Sequence, residues 1–263
     1  MRQSGRVIRP RIRRLWNRLL PNVPLLLRIS PGFWWIARND AGSDMLFEGT
    51  YEVAERAFMR RLLTPGMTVI DVGANAGVYA LSAAKLVGPA GRVIAFEPSP
   101  RERARLGAHL RLNAVKNVTV EPAAIGNLDT DVDLFVVDDV QTGCNSLRPL
   151  QADRTRTIRV PMWRLDNYLA QHGVGHVDFV KMDVEGGERD ALRGAEQLFQ
   201  RDRPVLLCEI EETRIRPWGY EPREIFDLVA AWNYRWFAVA RGGELVPLTA
   251  DPPPPGNYVA RPG

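Results

Sequence analysis

From Thr64 onward the apolar positions of this chain switch back and forth between two rhythms. Met67-Thr68-Val69-Ile70-Asp71-Val72 is a short β-branched run, opened by Pro65-Gly66 and closed by Gly73. A run of that length between turn residues predicts a buried strand. From Val78 to Val87 the apolar residues recur at helical spacing until Gly88-Pro89 ends them. Arg92 to Glu97 reads as a second strand stopped by Pro98, Arg101 to Asn113 as a helix, and Val118 to Glu121 as a third strand. The alternation returns with strand Val177 to Asp183, helix Glu188 to Phe199, strand Val205 to Ile210 and helix Pro222 to Trp232. Strands around Arg235 to Val239 and Tyr258 to Arg261 end it. Strands that alternate with helices of about 10–15 residues imply βαβ units and a parallel sheet.

The middle of the chain is less regular. Asp131 to Val137 and Thr157 to Val160 predict two further strands, a hairpin flanking the Thr142-Gly143-Cys144-Asn145-Ser146 loop, and Leu165 to Leu169 a short helix. Pro252 to Pro255 predicts a stiff loop before the last strand. The pattern divides the chain into an extension, residues 1–44, and one α/β domain, residues 45–263. The 263 residues are 45% hydrophobic, enough to build one full core.

Charge changes this picture at one end only. The net charge is +4, yet Arg2, Arg6, Arg9, Arg11, Arg13, Arg14 and Arg18 crowd the N-terminus with no acid before Asp40. The rest of the chain is slightly acidic, so the basic character belongs to the extension and argues poorly for a nucleic-acid enzyme. A solvated tail, a contact with an anionic membrane surface through Trp16 to Leu27, and nucleic-acid binding all stay open for it. No apolar run approaches the roughly 20 residues that cross a bilayer. The two cysteines, Cys144 and Cys208, have no metal-like spacing, which suits a reduced, cytoplasmic protein, either free or peripheral at a membrane.

The chemistry gathers at predicted strand ends. Asp71-Val72-Gly73-Ala74-Asn75-Ala76-Gly77 lies at the first strand-to-helix turn, where open α/β sheets bind ligands. Gly73 and Gly77 would let backbone approach a ligand without an intervening Cβ. A dinucleotide site would spell G-x-G-x-x-G and meet a pyrophosphate. Here an acid precedes the first glycine, which disfavours a pyrophosphate and suits a ligand bearing ammonium and sulfonium charges, as S-adenosylmethionine does. Glu97 ends the second strand, where an acid accepts hydrogen bonds from ribose hydroxyls. Pro98 then passes beside the cofactor, and Ala123-Ala124-Ile125 offers an apolar face for adenine. The fourth strand ends in Lys181-Met182-Asp183-Val184-Glu185, charges that are costly at a central strand end unless paired or used. Alternation puts Lys181 and Asp183 on one side of the sheet.

With these residues the chain resembles the FkbM family of S-adenosylmethionine-dependent methyltransferases over residues 48–261. The resemblance rests on the run Val69 to Gly77, Phe96-Glu97-Pro98, Asn145-Ser146-Leu147, Leu165-Asp166 and the run Asp178 to Gly186. It implies the class I, Rossmann-like methyltransferase fold, a seven-stranded, mostly parallel sheet with helices on both faces. It also implies O-methylation of a polyketide, sugar or glycolipid hydroxyl. Gly187 stands where the family usually has alanine, and the arginine-rich extension lies outside the family pattern. The expected cofactor contacts are Asp71, Gly73, Ala74, Asn75, Gly77, Glu97, Pro98 and Ala124. The expected catalytic set is Asp183 as base, Glu185 second to it, and Lys181 as the cation that holds a carboxylate or steadies a developing alkoxide. A divalent ion between Asp183 and Glu209 is compatible with the pattern and not required by it. Two other functions compete: an RNA-directed methyltransferase docked by its basic tail, and a non-catalytic scaffold.

Overall fold

The computed structural model describes residues 15–20, 23–137, 144–148, 155–248 and 253–263. Two short strands, β1 (Leu25–Ile29) and β2 (Phe33–Ala37), precede helices α1 (Ala41–Glu48) and α2 (Val53–Leu62). The alternating part follows as β3 (Thr68–Val72), α3 (Val78–Val87), β4 (Arg92–Phe96), α4 (Pro100–Leu112) and β5 (Val118–Glu121). A side sheet interrupts it with β6 (Ala124–Ile125), β7 (Thr130–Val137) and β8 (Thr155–Trp163). Alternation resumes through α5 (Leu165–Gln171), β9 (Phe179–Met182), α6 (Glu188–Arg193), α7 (Glu196–Arg201) and β10 (Val205–Ile210). The last elements are α8 (Glu212–Ile215), α9 (Pro222–Ala231), β11 (Tyr234–Val239), β12 (Leu245–Pro247) and β13 (Gly256–Pro262).

The main sheet has the order β12-β11-β13-β10-β9-β3-β4-β5. Strands β10, β9, β3, β4 and β5 pair in parallel, and β13, β11 and β12 extend the sheet antiparallel. Eight strands therefore stand where seven were expected, because Leu245 to Pro247 folds back along β11 and adds an edge. The expected hairpin is present as β7 and β8, with β6 joined to β8. The helix expected from Glu188 to Phe199 is two helices, α6 and α7. The Asp166 carboxylate accepts from the backbone N–H groups of Gln197 and Leu198 at 3.0 and 2.9 Å, so α7 starts afresh there.

Alternation along the strands builds a core on each face of the sheet. Ile70, Val72, Ile94, Phe96, Leu206 and Cys208 belong to one cluster with α5, α6, α7 and α9. Val69, Val93, Ala95, Phe179 and Leu207 belong to the other, with α2, α3 and α4. Ile29, Phe33, Trp35 and Ala37, assigned by pattern to the extension, are buried in this second cluster. The Trp35 ring stacks on His109 of α4 with centroids 3.8 Å apart. Among the described residues, no helix is long and apolar enough to cross a membrane.

Candidate active site

Strand register decides which charges meet. Asp71 of β3 lies beside Lys181 of β9, and Lys181 beside Leu207 of β10, all on the α2–α3 face. One step beyond the last paired residues, Asp183 and Glu209 emerge from adjacent strands on that same face. The Lys181 Nζ donates to Asp183 Oδ2 at 2.8 Å and lies 5.0 Å from the Tyr79 ring centre. Burial alone would lower the Lys181 pKa, but Asp183, Asp71 and Glu52 outweigh it and hold the ammonium charged. Asp183 is pulled below the ordinary carboxylate range, burial being outweighed by Lys181 and by a hydrogen bond from Glu209. Glu209 moves the other way, raised first by the charge of Asp183 and then by burial. The two carboxyls share one proton, and it resides on Glu209.

Glu185 follows on a left-handed backbone position, φ 56°, and Arg214 Nε meets its Oε2 at 3.0 Å. Carboxylate oxygens of Asp183, Glu185 and Glu209 lie within 4.8 Å of one another, a spacing that fits one cation. Lys181 pairs with Asp183 and Arg214 with Glu185, whose carboxyl burial and the charge of Asp183 raise to about 8 against the pull of Arg214.

Two cavities meet at this cluster and share Gly73, Asn75, Asp183 and Glu185 in their walls. The first, about 660 Å³, has Glu97 and Pro98 at one side and Ala124, Ile125, Leu134 and Leu147 as an apolar slot. Glu97 is buried and accepts one backbone N–H on each carboxylate oxygen, from Asn75 at 2.7 Å and Ser99 at 2.8 Å. Each oxygen keeps a second lone pair for a ligand. Burial pushes its carboxyl up to about 7 against those two donors. The second cavity, about 870 Å³, is bounded by Trp35 and Met45 on one side and by Glu52, Ala74, Tyr79 and Lys181 on the other.

Every residue of the expected catalytic set lines a cavity wall: Lys181 the second, Asp183 and Glu185 both. Of the expected cofactor contacts, Gly73, Ala74, Asn75, Gly77, Glu97, Pro98 and Ala124 line one or both. Asp71 lines neither. It is buried beneath them, and burial raises its carboxyl to about 6 against the pull of Lys181. The two glycines are also required by packing within the fold. A Cβ on Gly73, φ 80°, would fall 1.8 Å from the Asp183 carbonyl oxygen, and one on Gly77, φ 96°, 2.2 Å from Leu106 Cδ1. Gly187, the departure from the family pattern, leaves room for Trp218, whose ring a Cβ would meet at 2.9 Å.

Asn145 and Ser146 bridge elements, and Ser146 also holds its own turn, its Oγ accepting from the Arg148 N–H at 3.1 Å. Asn145 donates to Glu102 at 3.1 Å and accepts from the Val137 N–H at 3.0 Å, and Ser146 Oγ donates to the Glu185 carbonyl at 2.9 Å. They close the first cavity from the side-sheet edge. Glu52, φ 38°, makes no capping bond to α2 and instead faces the second cavity, where burial raises its carboxyl to about 7. Trp232 stacks on Phe199, and the Trp236 indole donates to the Phe226 carbonyl, so both serve the core. His172 stacks on Tyr168 and His176 sits by Asp178, at the amino end of β9 and away from the cavities. Sequence reasoning missed Arg214, Trp35 and Met45. Arg214 belongs to no recurring pattern, Trp35 lay in the stretch assigned to the extension, and Met45 stood at the domain's first residue.

The glycine turn, the acid at Glu97 and the charged end of β9 thus stand in the walls of one paired cavity. The chain is 24% identical over 143 residues to Methyltransferase 1 of Beauveria bassiana (strain ARSEF 2860), covering 48% of this chain and 57% of that protein. It is 23% identical over 191 residues to the 2-O-methyltransferase NoeI of Sinorhizobium fredii (strain NBRC 101917 / NGR234), covering 68% and 77%. It is 27% identical over 171 residues to the Ribosomal RNA large subunit methyltransferase E of Cellvibrio japonicus (strain Ueda107), covering 60% and 79%. Residues 71–236 match the Methyltransferase FkbM domain, and the chain belongs to that family.

Proposed function

We propose that the protein transfers the methyl group of S-adenosylmethionine to a hydroxyl oxygen of a polyketide, sugar or glycolipid-type acceptor. The observation that carries this is the shared wall between the cavities, with Asp183 and Glu185 in it, Glu97 in the first and Lys181 in the second. The first cavity suits the nucleoside. Glu97 has a free lone pair on each oxygen for the ribose hydroxyls, and Ala124, Ile125 and Leu134 offer an apolar face to adenine. Asn75 and Pro98 flank that end. The acids at the shared wall suit the ammonium and sulfonium charges of the amino-acid end. Asp71 acts from below as a positioning residue, through Lys181.

The cofactor supplies the electrophilic methyl group. The chain's own part is to orient the acceptor oxygen and take its proton. Asp183 is the proton acceptor, held ionised and in place by Lys181, with Glu209 as the neutral acid hydrogen-bonded to it. Glu185, clamped by Arg214, fixes the loop that separates the cavities. The name of the Sinorhizobium relative supports a hydroxyl acceptor. The Cellvibrio relative favours a second reading, an RNA acceptor. Against it stand the acids that line the second cavity, Asp183 foremost, which disfavour a phosphate backbone.

Thermal unfolding with S-adenosylmethionine, S-adenosylhomocysteine and NAD, each with and without magnesium, tests the reading. Ligand at about 100 times its dissociation constant stabilises by about 2.7 kcal/mol, a melting shift of roughly 5–10 °C at this size. Shifts with the first two and not NAD support the proposal. No shift from folded protein at millimolar ligand would return the molecule to a non-catalytic scaffold. Methyl transfer to RNA, with hydroxylated small molecules inert, would put the second reading first.

A further inference from the structure

Hairpin β1–β2 has two unlike faces. Ile29, Phe33, Trp35 and Ala37 point into the core, whereas Leu26 is 60% and Trp34 45% exposed. Register places Leu26 opposite Ile36 and Arg28 opposite Trp34, so these four share the outer face. The Arg28 guanidinium lies 5.9 Å from the Trp34 ring centre. This two-stranded sheet pairs with no other described strand. Its outer face is held rigidly, because Asn113 of α4 accepts from the Trp34 backbone N–H and donates to its carbonyl, at 2.6 and 2.7 Å.

The apolar surface continues beyond the hairpin. Of the ten large apolar side chains exposed among the described residues, seven lie between residues 15 and 45: Leu15, Leu19, Leu20, Val23, Leu26, Trp34 and Met45. Leu15 and Leu19 are one helical turn apart, and Asn17, between them, donates to Asp44 of α1 at 3.3 Å. That bond ties residues 15–19 to the helix carrying Met45, which is exposed and lines the second cavity. Nearby acids are largely engaged: Asp40 is buried against Arg105, Asp44 takes Asn17, and only Glu48, in the last turn of α1, is exposed. Seven arginines and no acid precede residue 20.

Scattered exposed apolar residues need no explanation, but a contiguous set rimmed by one sign of charge marks a docking surface. Leucine and tryptophan with flanking arginine are the residues that seat a protein in the headgroup layer of an anionic bilayer. We infer that the outer face of β1–β2, with residues 15–20 and 23, docks on an anionic phospholipid membrane, and that the second cavity opens beside this surface toward a membrane-held acceptor. The second half rests on the methyltransferase reading given above; the first half does not. An amphiphilic acceptor then reaches Asp183 past Met45 and Trp35 without leaving the lipid layer entirely.

The test is co-sedimentation of the full chain with phosphatidylcholine vesicles, with and without phosphatidylglycerol, at low and high salt. Binding to the phosphatidylglycerol vesicles is expected, and it should weaken as salt screens the arginines. The double variant L26E/W34E should bind at least about tenfold less, while its melting temperature and its shift with S-adenosylhomocysteine match the parent. The milder Trp34→Ala variant should lose part of the binding. No binding to anionic vesicles, or binding that both variants retain in full, overturns the surface. Preferential binding of RNA that the double variant leaves unchanged also overturns it. If vesicles bind as expected and S-adenosylhomocysteine gives no shift in any variant, the docking surface stands and the methyltransferase reading falls.

Discussion

Glu97 and Asp183 show how two carboxyls acquire different duties from their surroundings. Glu97 is raised to about 7 by burial, with backbone donors on each oxygen, whereas Asp183 is held ionised by Lys181. Replacing Glu97 by glutamine removes one acceptor and reverses its fit to two hydroxyl donors. The Glu97→Gln variant should bind S-adenosylhomocysteine about 10- to 100-fold more weakly by calorimetry. The same substitution has a pH signature. A carboxyl of ordinary value 4.5 raised to about 7 keeps its proton longer when folded. Its contribution to stability is therefore full below 4.5 and lost as pH climbs to about 7. Glutamine does not titrate, so E97Q should gain on the parent in urea unfolding as pH rises through that window. A difference that stays flat across it would show that Glu97 is not perturbed. At the other carboxyl pair, Asp183→Asn should cut kcat by about 10²–10⁴. Glu209→Gln replaces an already protonated acid with a neutral isostere and should cost less than about tenfold. Equal losses in single-turnover assays would move the base to Glu209.

At the scale of elements, the turn between β3 and α3 separates two uses of glycine. Alanine at 73 would need the backbone carbonyl of Asp183 to move, whereas alanine at 77 meets the end of the Leu106 side chain. Both carry the cost of a left-handed backbone, about 1–2 kcal/mol. Gly77→Ala should destabilise by about 1–3 kcal/mol in urea unfolding, and Gly73→Ala by more, together with loss of S-adenosylhomocysteine binding. Equal effects would contradict the packing described. The spacing of these glycines marked the turn, but a spacing cannot reveal the Asp183 carbonyl and the Leu106 side chain that lie above them. Strands β3, β4 and β5 were legible because each run is closed by glycine or proline, and the β9 charges because alternation fixes their face. The break between α6 and α7 was not, because its cause, Asp166, comes from another element. The same holds for Arg214 on Glu185. Hairpin β1–β2 was hidden behind proline and arginine, and the His109 that stacks on Trp35 lies far along the chain.

On the scale of the whole molecule, the two cavities share Gly73, Asn75, Asp183 and Glu185 and differ in the rest of their walls. Residues 96–98, 123–125, 134 and 145–147 belong to the first alone, and residues 35–52 with the start of α3 wall much of the second. Material removed from the N-terminus should therefore affect stability and acceptor handling before it affects the nucleoside end. Among the described residues of this stretch, 15–20, 23 and 24, most side chains are exposed, so a chain that begins at Leu25 keeps nearly all of the described core. It should melt within about 2–4 °C of the parent, the effect of roughly 1 kcal/mol, and retain its shift with S-adenosylhomocysteine. Trp35 is different, being buried, stacked on His109 and part of the second cavity. Trp35→Ala should cost about 3–5 kcal/mol by urea unfolding. In the fraction that stays folded, the acceptor KM should rise while the dissociation constant of S-adenosylhomocysteine changes little. Parallel weakening of both ligands would mean that the cavities are one compartment, with the N-terminal hairpin supporting the entire site rather than the acceptor side alone.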